Sequence, residues 1–255
     1  MDEVLYSVEN GIGGITINRP EKSNAMSPAV LARMRQAVAE AGKDRDVRVV
    51  TLTGAGTKMF CAGVDLKASL SAGSEGQTFG RSDFRQLLIE LAQCPKPTVA
   101  LVRGHVMGGG VGIVLASDLC FACDDVHFST PEIHVGMFPM MVMGLLYRNV
   151  GRKRATEMLL LGDRISAAEA AQSGLINRAL PREQFEAAAA DYIQKLAGKS
   201  SVILAMGKRA ISGLLDKSLH DEEQYLESAL VEVMTTDDSK EGIRAFVEKR
   251  KPSWS

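Results

Sequence analysis

A chain of 255 residues with 45% hydrophobic and 24% charged residues has the composition of an ordinary globular protein, which excludes the disordered and fibrous classes. The formal net charge of −1 gives no broad attraction for nucleic acid or anionic lipid, so we expect a small-molecule partner, no nucleic acid and no membrane. Met1–Asn10 resembles neither a secretory signal nor a transit peptide, and the four cysteines are scattered, which together predict a cytoplasmic location with reduced thiols.

The first part of the chain predicts two strands, a helix and a third strand. Ser27 is a typical helix N-cap, Pro28 suits the first helical position, and Gly42 is expected to end the helix. The three strands are predicted from their apolar patterns at Val4–Val8, Ile12–Asn18 and Val47–Thr53.

A second unit of similar order follows. Its elements are predicted as helix Phe84–Ala92, strand Thr98–Val102, helix Gly109–Ala116 and strand Leu119–Ala122. Between the units, Ser69–Gln77 is rich in small residues and predicts a mobile surface loop. A lid over a site and a tolerated insertion are both compatible with that composition.

The chain from Arg152 onward is mostly helical in its pattern. Ser166 and Glu169 form a predicted capping box, and Gly174 is expected to end that short helix. Later helical stretches are predicted at 182–197, 200–216, 220–235 and 238–249. We therefore divide the chain into a core at 1–195 and a helical region at 196–255 that packs on the core, on a neighbouring subunit, or on both.

Three glycine-rich segments are candidates for chemistry: Gly54–Gly56, Phe60–Lys67 and Gly104–Gly112. The last follows a strand and runs into an apolar helix, so backbone N–H groups at the helix N-terminus would face a bound anion or oxyanion. A nucleotide site is the weaker alternative, because neither the G-x-G-x-x-G spacing nor the P-loop Lys-Ser/Thr is present. Close packing of a helix on a sheet would also explain the glycines.

Together these segments resemble the crotonase superfamily, the enoyl-CoA hydratase/isomerase family. The matching stretches are Asn18–Pro20 with Asn24–Met26, Phe60–Lys67, Gly104–Asp118, Ser129–Glu132 with Gly136, and Glu241–Lys251. The resemblance implies an α/β crotonase fold, in which repeated ββα units form a spiral core and a helical C-terminal region mediates trimerisation. It also implies a homotrimer or hexamer that acts on acyl-CoA in fatty acid metabolism, with the coenzyme A thioester as substrate and no other cofactor.

By the same resemblance, the N–H groups of Ala62 and Gly109 form an oxyanion hole and Glu132 is the catalytic carboxylate. Removing a proton next to a thioester carbonyl, or adding a nucleophile one carbon further away, puts negative charge on the carbonyl oxygen, and two fixed N–H donors stabilise that charge. A carboxylate within reach of the same carbon moves the proton.

Gly112 departs from the hydratase pattern of the family. Hydratases carry a second glutamate at this position, and the two carboxylates together hold water, whereas one carboxylate is enough to move a proton between C2 and C4. We therefore predict enoyl-CoA isomerisation, with hydration or dehydration as the alternative and a non-catalytic acyl-CoA-binding subunit as a further one. Candidates to replace the missing acid are His105, His134 and Asp125.

The resemblance also assigns coenzyme A contacts. The residues expected to frame the adenine through backbone contacts are Lys22, Asn24, Ala25, Val64, Asp65 and Leu66, and those expected to reach the ligand from a neighbouring subunit are Phe246 and Lys249. A cluster of flexible side chains is a candidate acyl pocket: Met137, Phe138, Met140 and Met141. We expect no metal, because no histidine and acid pattern has ligand spacing, and a covalent role for Cys61 is a minor alternative.

Overall fold

The computed structural model describes residues 2–65, 73–214 and 219–255, with side chains for 2–65, 82–214 and 220–255. The strands are β1 Val4–Glu9, β2 Ile12–Ile17, β3 Val49–Gly54, β4 Met59–Cys61, β5 Thr98–Val102, β6 His105–Met107, β7 Leu119–Cys123, β8 His127–Ser129, β9 Ile165–Ser166 and β10 Arg178–Leu180. The helices are α1 Pro28–Lys43, α2 Gly73–Ala92, α3 Gly109–Ala116, α4 Met140–Asn149, α5 Arg152–Leu161, α6 Ala167–Gln172, α7 Phe185–Ala197, α8 Ser201–Leu214, α9 Leu219–Thr235 and α10 Asp237–Val247.

The strands form two sheets within these described residues. The larger sheet has the order β1-β2-β3-β5-β7-β10, and it is parallel apart from the antiparallel pair β1 and β2. The smaller sheet has the order β4-β6-β8-β9, in which β4, β6 and β8 run parallel. Three of its strands, β4, β6 and β8, each lead into a loop or helix that carries a candidate functional residue, so this sheet positions the site.

Burial explains the two kinds of strand in the larger sheet. β2 alternates between buried and partly buried residues, as expected for a strand with one face toward the core. Every residue of β5 is buried, which is typical of a strand that is covered on both faces in a parallel sheet. The strands predicted in these segments are confirmed, with ends that differ by one or two residues.

Helix α1 begins as predicted but ends later. The Ser27 hydroxyl accepts a hydrogen bond from the Val30 N–H, and Pro28 occupies the first helical position. Gly42 does not end the helix, because Asp44 N–H still donates to Glu40 O and closes another turn. A β-carbon at Gly42 would lie 3.4 Å from Pro95 Cδ, so the glycine lies at a contact with the segment before β5 rather than at a turn.

Helix α2 is longer than the sequence predicts. We expected a loop at Ser69–Gln77, yet the helix begins at Gly73, so the last five residues of that segment are helical, and 69–72 lie outside the described residues. The reason is cooperative: once a helix is anchored by packing, each further residue adds a backbone hydrogen bond, which outweighs the weak propensity of small residues.

The C-terminal third is helical, as predicted. The capping box at Ser166 and Glu169 is present, and helix α6 ends just before Gly174, which has a φ of +83°. Arg48 on the core donates to the carbonyl oxygens of Ala197 and Lys199, so the segment at the predicted boundary is tied to the core. The division at residue 195 stays a prediction. Across the described part of the chain, no helix has the length and apolar character needed to span a bilayer.

Candidate active site

The turn after β4 lies directly against the N-terminus of helix α3. Gly63 in this turn has a φ of +92°, and a β-carbon on it would lie 2.9 Å from the Gly109 nitrogen. Any other residue would therefore be strained and would push the turn away from the helix. This close approach brings two stretches of backbone N–H groups to one place.

Gly109 and Val64 are among the N–H groups here that make no hydrogen bond within the described residues. Gly109 is the first residue of helix α3, where an N–H has no partner inside the helix. In the turn, Asp65 N–H donates to Met26 O at 3.0 Å and Gly63 N–H donates to Cys61 Sγ at 3.4 Å, whereas Val64 N–H has no such partner. Because Val64 directly follows Gly63, its N–H and that of Gly109 are neighbours.

The role predicted for Ala62 has to be corrected. Its N–H donates to Ser23 O at 3.1 Å and is not free to bind a ligand. The turn is also bonded to the segment around Met26, because Met26 N–H donates to Gly63 O at 2.8 Å. These bonds fix the direction of the turn, and the free donor is therefore Val64 rather than Ala62.

Glu132 lies on the other side of the α3 N-terminus, in a short 3₁₀-helix at Pro131–Val135. Its Oε1 would be 2.9 Å from a β-carbon at Gly108, a glycine with a φ of +53°, so the carboxylate lies against the residue that precedes Gly109. Its Oε2 is buried and has no hydrogen-bond partner in the described structure. Burial raises the pKa of Glu132, opposed only by a hydrogen bond from its own backbone N–H.

Hydrogen bonds hold in place the backbone segment that carries Glu132. Gly108 N–H donates to Ser129 O at 2.9 Å, which joins the end of β8 to the start of α3. The buried Thr130 hydroxyl donates to Met158 O at 2.9 Å, and Met137 N–H donates to Glu132 O at 3.0 Å. A half-buried carboxylate with a raised pKa, fixed beside free N–H donors, is suited to proton transfer.

The space beside Gly112 is apolar. A β-carbon there would lie 3.1 Å from Phe84 Cζ, 3.4 Å from Leu88 Cδ2 and 3.4 Å from Val142 Cγ2. These three side chains are 1%, 7% and 2% exposed. The sequence analysis did not include them in the site, although the four-residue spacing of Phe84 and Leu88 indicates one face of a helix.

None of the three groups proposed to replace the missing acid is among these neighbours of Gly112. The Nδ1 of His105 accepts a hydrogen bond from His127 N–H, and burial together with His127 lowers its pKa. Asp125 forms an ion pair with Arg182, which lowers its pKa. His134 is exposed, with its Nε2 beside Gly162.

The buried cysteines are unsuited to covalent chemistry. Burial raises the pKa of Cys61 to about 12, and the pKa of Cys120 is raised by the same cause. A thiol with so high a pKa holds its proton at neutral pH and is a poor nucleophile. Among the described residues, no three His, Cys, Asp or Glu side chains lie close enough to hold a metal ion.

Comparison with known proteins identifies the family. The family model described as enoyl-CoA hydratase/isomerase matches residues 7–255. The chain belongs to this family. The mitochondrial enoyl-CoA hydratase domain-containing protein 3 of Rattus norvegicus is 33% identical over 250 residues, which cover 97% of this chain and 82% of that protein. The mitochondrial enoyl-CoA hydratase of Pongo abelii is 34% identical over 246 residues, which cover 96% and 84%.

A solved structure confirms the fold. The enoyl-CoA hydratase of Mycobacterium smegmatis superposes with a TM-score of 0.95 at 31% identity and covers 100% of this chain and 99% of its own. The α/β crotonase fold predicted from the sequence is therefore confirmed. Proteins of the enoyl-CoA hydratase/isomerase family bind acyl-CoA substrates, so the residues expected to contact coenzyme A can be compared with the structure.

Three of those residues make hydrogen bonds or ion pairs within the chain itself. The buried Asn24 accepts from Arg19 N–H at 2.9 Å through its side-chain oxygen, and its amide group donates to Ala55 O and Met59 O. Ala25 O accepts from the Arg19 guanidinium at 2.6 Å, and Asp65 lies 3.4 Å from the same group. These bonds fix the shape of the loop, and the predicted backbone contacts of the loop with adenine stay predictions.

The remaining coenzyme A residues stay predictions. Lys22 is exposed at the end of the 3₁₀-helix Pro20–Lys22, and Leu66 lies outside the described residues. Phe246 is 84% exposed at the end of α10, and Lys249 is exposed just beyond it, with a φ of +54°. Their predicted role concerns a neighbouring subunit.

The predicted acyl pocket is open in the single chain. The side chains of Met137, Met140 and Met141 are exposed, whereas Phe138 packs partly buried against the core. Val142, from the same segment, is the residue that lies beside Gly112. The methionines border the surface next to Glu132, and contact with an acyl chain stays a prediction.

Proposed function

We propose that this protein moves a proton at the carbon next to a coenzyme A thioester carbonyl, and that its preferred reaction converts a 3-enoyl-CoA into a 2-enoyl-CoA. The observation that carries the proposal is the Glu132 carboxylate, which has a raised pKa and an unpartnered Oε2 and lies beside the free N–H of Gly109. Family membership supports an acyl-CoA substrate.

The free N–H groups of Val64 and Gly109 would bind the thioester oxygen. When the proton leaves C2, the electron pair moves toward the carbonyl and the oxygen becomes negative. Each fixed donor in such a site contributes about 3 kcal/mol of transition-state stabilisation. Helix α3 adds the positive end of its dipole at the same point.

Glu132 would then carry the proton in both directions. Its carboxylate removes a proton from C2 of the 3-enoyl thioester, which gives a dienolate, and the same carboxyl group returns the proton to C4. The double bond moves from C3–C4 to C2–C3, and no atom is gained or lost. This cycle needs one carboxylate and no water, which fits the absence of a side chain at Gly112.

Hydration of 2-enoyl-CoA is the second candidate reaction. It is favoured by the names of relatives, since the Pongo abelii protein, 34% identical, is called an enoyl-CoA hydratase. A non-catalytic acyl-CoA-binding subunit is a third candidate, which Gly112 favours and the orphaned Glu132 oxygen opposes.

A trimer or hexamer is part of the proposal. Several large apolar side chains of the C-terminal helices are exposed in the single chain: Leu230, Val231, Met234, Ile243, Phe246 and Val247. These exposed apolar side chains support the proposal of a contact between subunits in this region.

The test is hydrogen exchange at C2 of a saturated acyl-CoA, such as butanoyl-CoA, in D2O. This substrate has no double bond, so it reports enolate formation alone. The native protein is expected to catalyse exchange, and Glu132→Gln to slow it by roughly 10²–10⁴-fold, the usual contribution of a general base. Asp125→Asn is the control, because Asp125 is paired with Arg182 away from the site. Equal exchange in native protein and Glu132→Gln would overturn the proposal.

A further inference from the structure

We propose that Phe84 determines which reaction the site performs, because its ring occupies the space that a water molecule would need for hydration. The inference rests on the proposed function, since it concerns the fate of the enolate at the same site. Hydration adds the hydroxyl group of water to C3 and a proton to C2, so it needs an ordered water beside the substrate. Isomerisation needs only the Glu132 carboxylate.

The ring tip of Phe84 lies against two buried glycine positions on one face of helix α3. Gly109 and Gly112 are three residues apart and share that face. A β-carbon on either glycine would lie 3.1 Å from Phe84 Cζ. One atom of one side chain therefore fills the space beside the oxyanion donor and the space beside the vacant acid position.

The other nearest described neighbours of these two positions are also apolar. Leu88 Cδ2 and Val142 Cγ2 would each lie 3.4 Å from a β-carbon at Gly112, and Met26 Cε would lie 3.2 Å from one at Gly109. An ordered buried water needs two to four polar partners. The side-chain atoms nearest the two glycines are all carbon, so they offer a water no hydrogen bond.

Helix α2 holds Phe84 in this position. Asp83, the preceding residue, pairs with Arg35 of helix α1 at 2.6 Å, and Glu90 pairs with the same guanidinium at 2.9 Å. Arg35 thus binds α2 at two points, one before and one after Leu88. The Phe84 ring is 1% exposed, so it has little freedom to move aside.

The contacts of Phe84 at Gly112 predict that restoring the second acid at Gly112 requires a change at Phe84 as well. Gly112→Glu alone would place its β-carbon against the Phe84 ring, and the new carboxylate would enter an apolar, occupied space. Replacing Phe84 by Leu removes the ring tip but keeps an apolar side chain, so the double variant Phe84→Leu/Gly112→Glu gains room for a carboxylate and a water. Phe84→Met/Gly112→Glu is a second route, because methionine adapts its shape.

The experiment measures hydration of 2-butenoyl-CoA and C2 hydrogen exchange of butanoyl-CoA in the same preparations, and reports the ratio of the two rates. Gly112→Glu alone is expected to leave the ratio near the native value. A double variant is expected to raise the ratio roughly tenfold or more, the scale of a positioned acid or base. Phe185→Leu/Gly112→Glu is the matched control, because Phe185 is a fully buried ring on α7 that contacts Arg103.

The ratio of hydration to exchange in the variants decides whether Phe84 excludes water. A raised ratio in either Phe84 double variant, but not in the Phe185 control, supports the inference. A ratio that rises equally with Gly112→Glu alone, or that stays at the native value in both folded double variants while exchange persists, overturns it. Absence of exchange in the native protein overturns the proposed function and the inference together.

Discussion

The two sides of the α3 N-terminus differ in polarity. On one side, Gly108 lies against a carboxylate oxygen of Glu132, and the second oxygen of that carboxylate has no partner. On the other side, Gly112 lies against carbon atoms of Phe84, Leu88 and Val142. Gly109 lies between these two glycines in the chain, so its N–H is a charge-stabilising donor between a polar face and an apolar one.

This difference suggests how one fold selects a reaction. In the proposed reaction, the donors at Val64 and Gly109 would stabilise an enolate in any case, and the side chains on the two faces would decide its fate. A carboxylate on one face would move a proton. An apolar second face would leave no place for water, so proton transfer would be favoured over hydration.

The largest effect in this comparison is expected from Gly63→Ala, which would displace the pair of N–H donors that both faces share. A methyl group there would lie 2.9 Å from the Gly109 nitrogen at a φ of +92°, so the turn would move and the donor pair would separate. Loss of one oxyanion donor typically costs about 10²–10³-fold in rate, so C2 exchange should fall by at least this amount.

Gly56→Ala is the matched control for that variant. Gly56 has a φ of +77°, and the nearest atom to an added β-carbon is Pro20 Cβ at 3.9 Å. It carries the same backbone strain without the collision. If both variants lose the same amount of exchange activity, strain alone is responsible and the assignment of the donor pair is wrong.

A smaller effect is expected from lowering the pH, which would protonate Glu132 and leave the apolar face unchanged. Glu132 must be deprotonated to remove a proton, and burial raises its pKa. Exchange should therefore fall about tenfold per pH unit below an inflection that lies above the ordinary value for a glutamate. The rate of butanoyl-CoA exchange across the pH range where circular dichroism shows folded protein provides the measurement. A rate that is flat down to the ordinary glutamate range would show that Glu132 is not the base.

The sequence predicts the polar face better than the apolar one. Glu132 and Gly109 lie in glycine- and proline-marked segments that could be recognised in the chain, and the structure places them together. Ala62 was chosen as a donor two positions too early, because the direction of each N–H depends on bonds to Ser23 and Met26 from a distant loop. Side-chain identities carry no signal for such bonds.

Long-range packing accounts for the other differences. Phe84 precedes Gly112 by almost thirty positions, and its contact with that glycine depends on how α2 is clamped to α1 through Arg35. The Asn24 amide group joins Arg19, Ala55 and Met59, which are contacts that the motif around Asn24 does not reveal. Local patterns predict elements and motifs, whereas these contacts depend on the assembled fold.

The most direct test of proton transfer by Glu132 follows the hydrogen atom that leaves C2. The native protein is incubated with 3-hexenoyl-CoA that carries deuterium at C2, and the product is analysed by mass spectrometry. We predict 2-hexenoyl-CoA in which part of the deuterium has moved to C4, because Glu132 would remove and return the same atom. A 3-hydroxyacyl-CoA as the main product, or a 2-enoyl product whose C4 hydrogen comes entirely from solvent in native protein and Glu132→Gln alike, would contradict it.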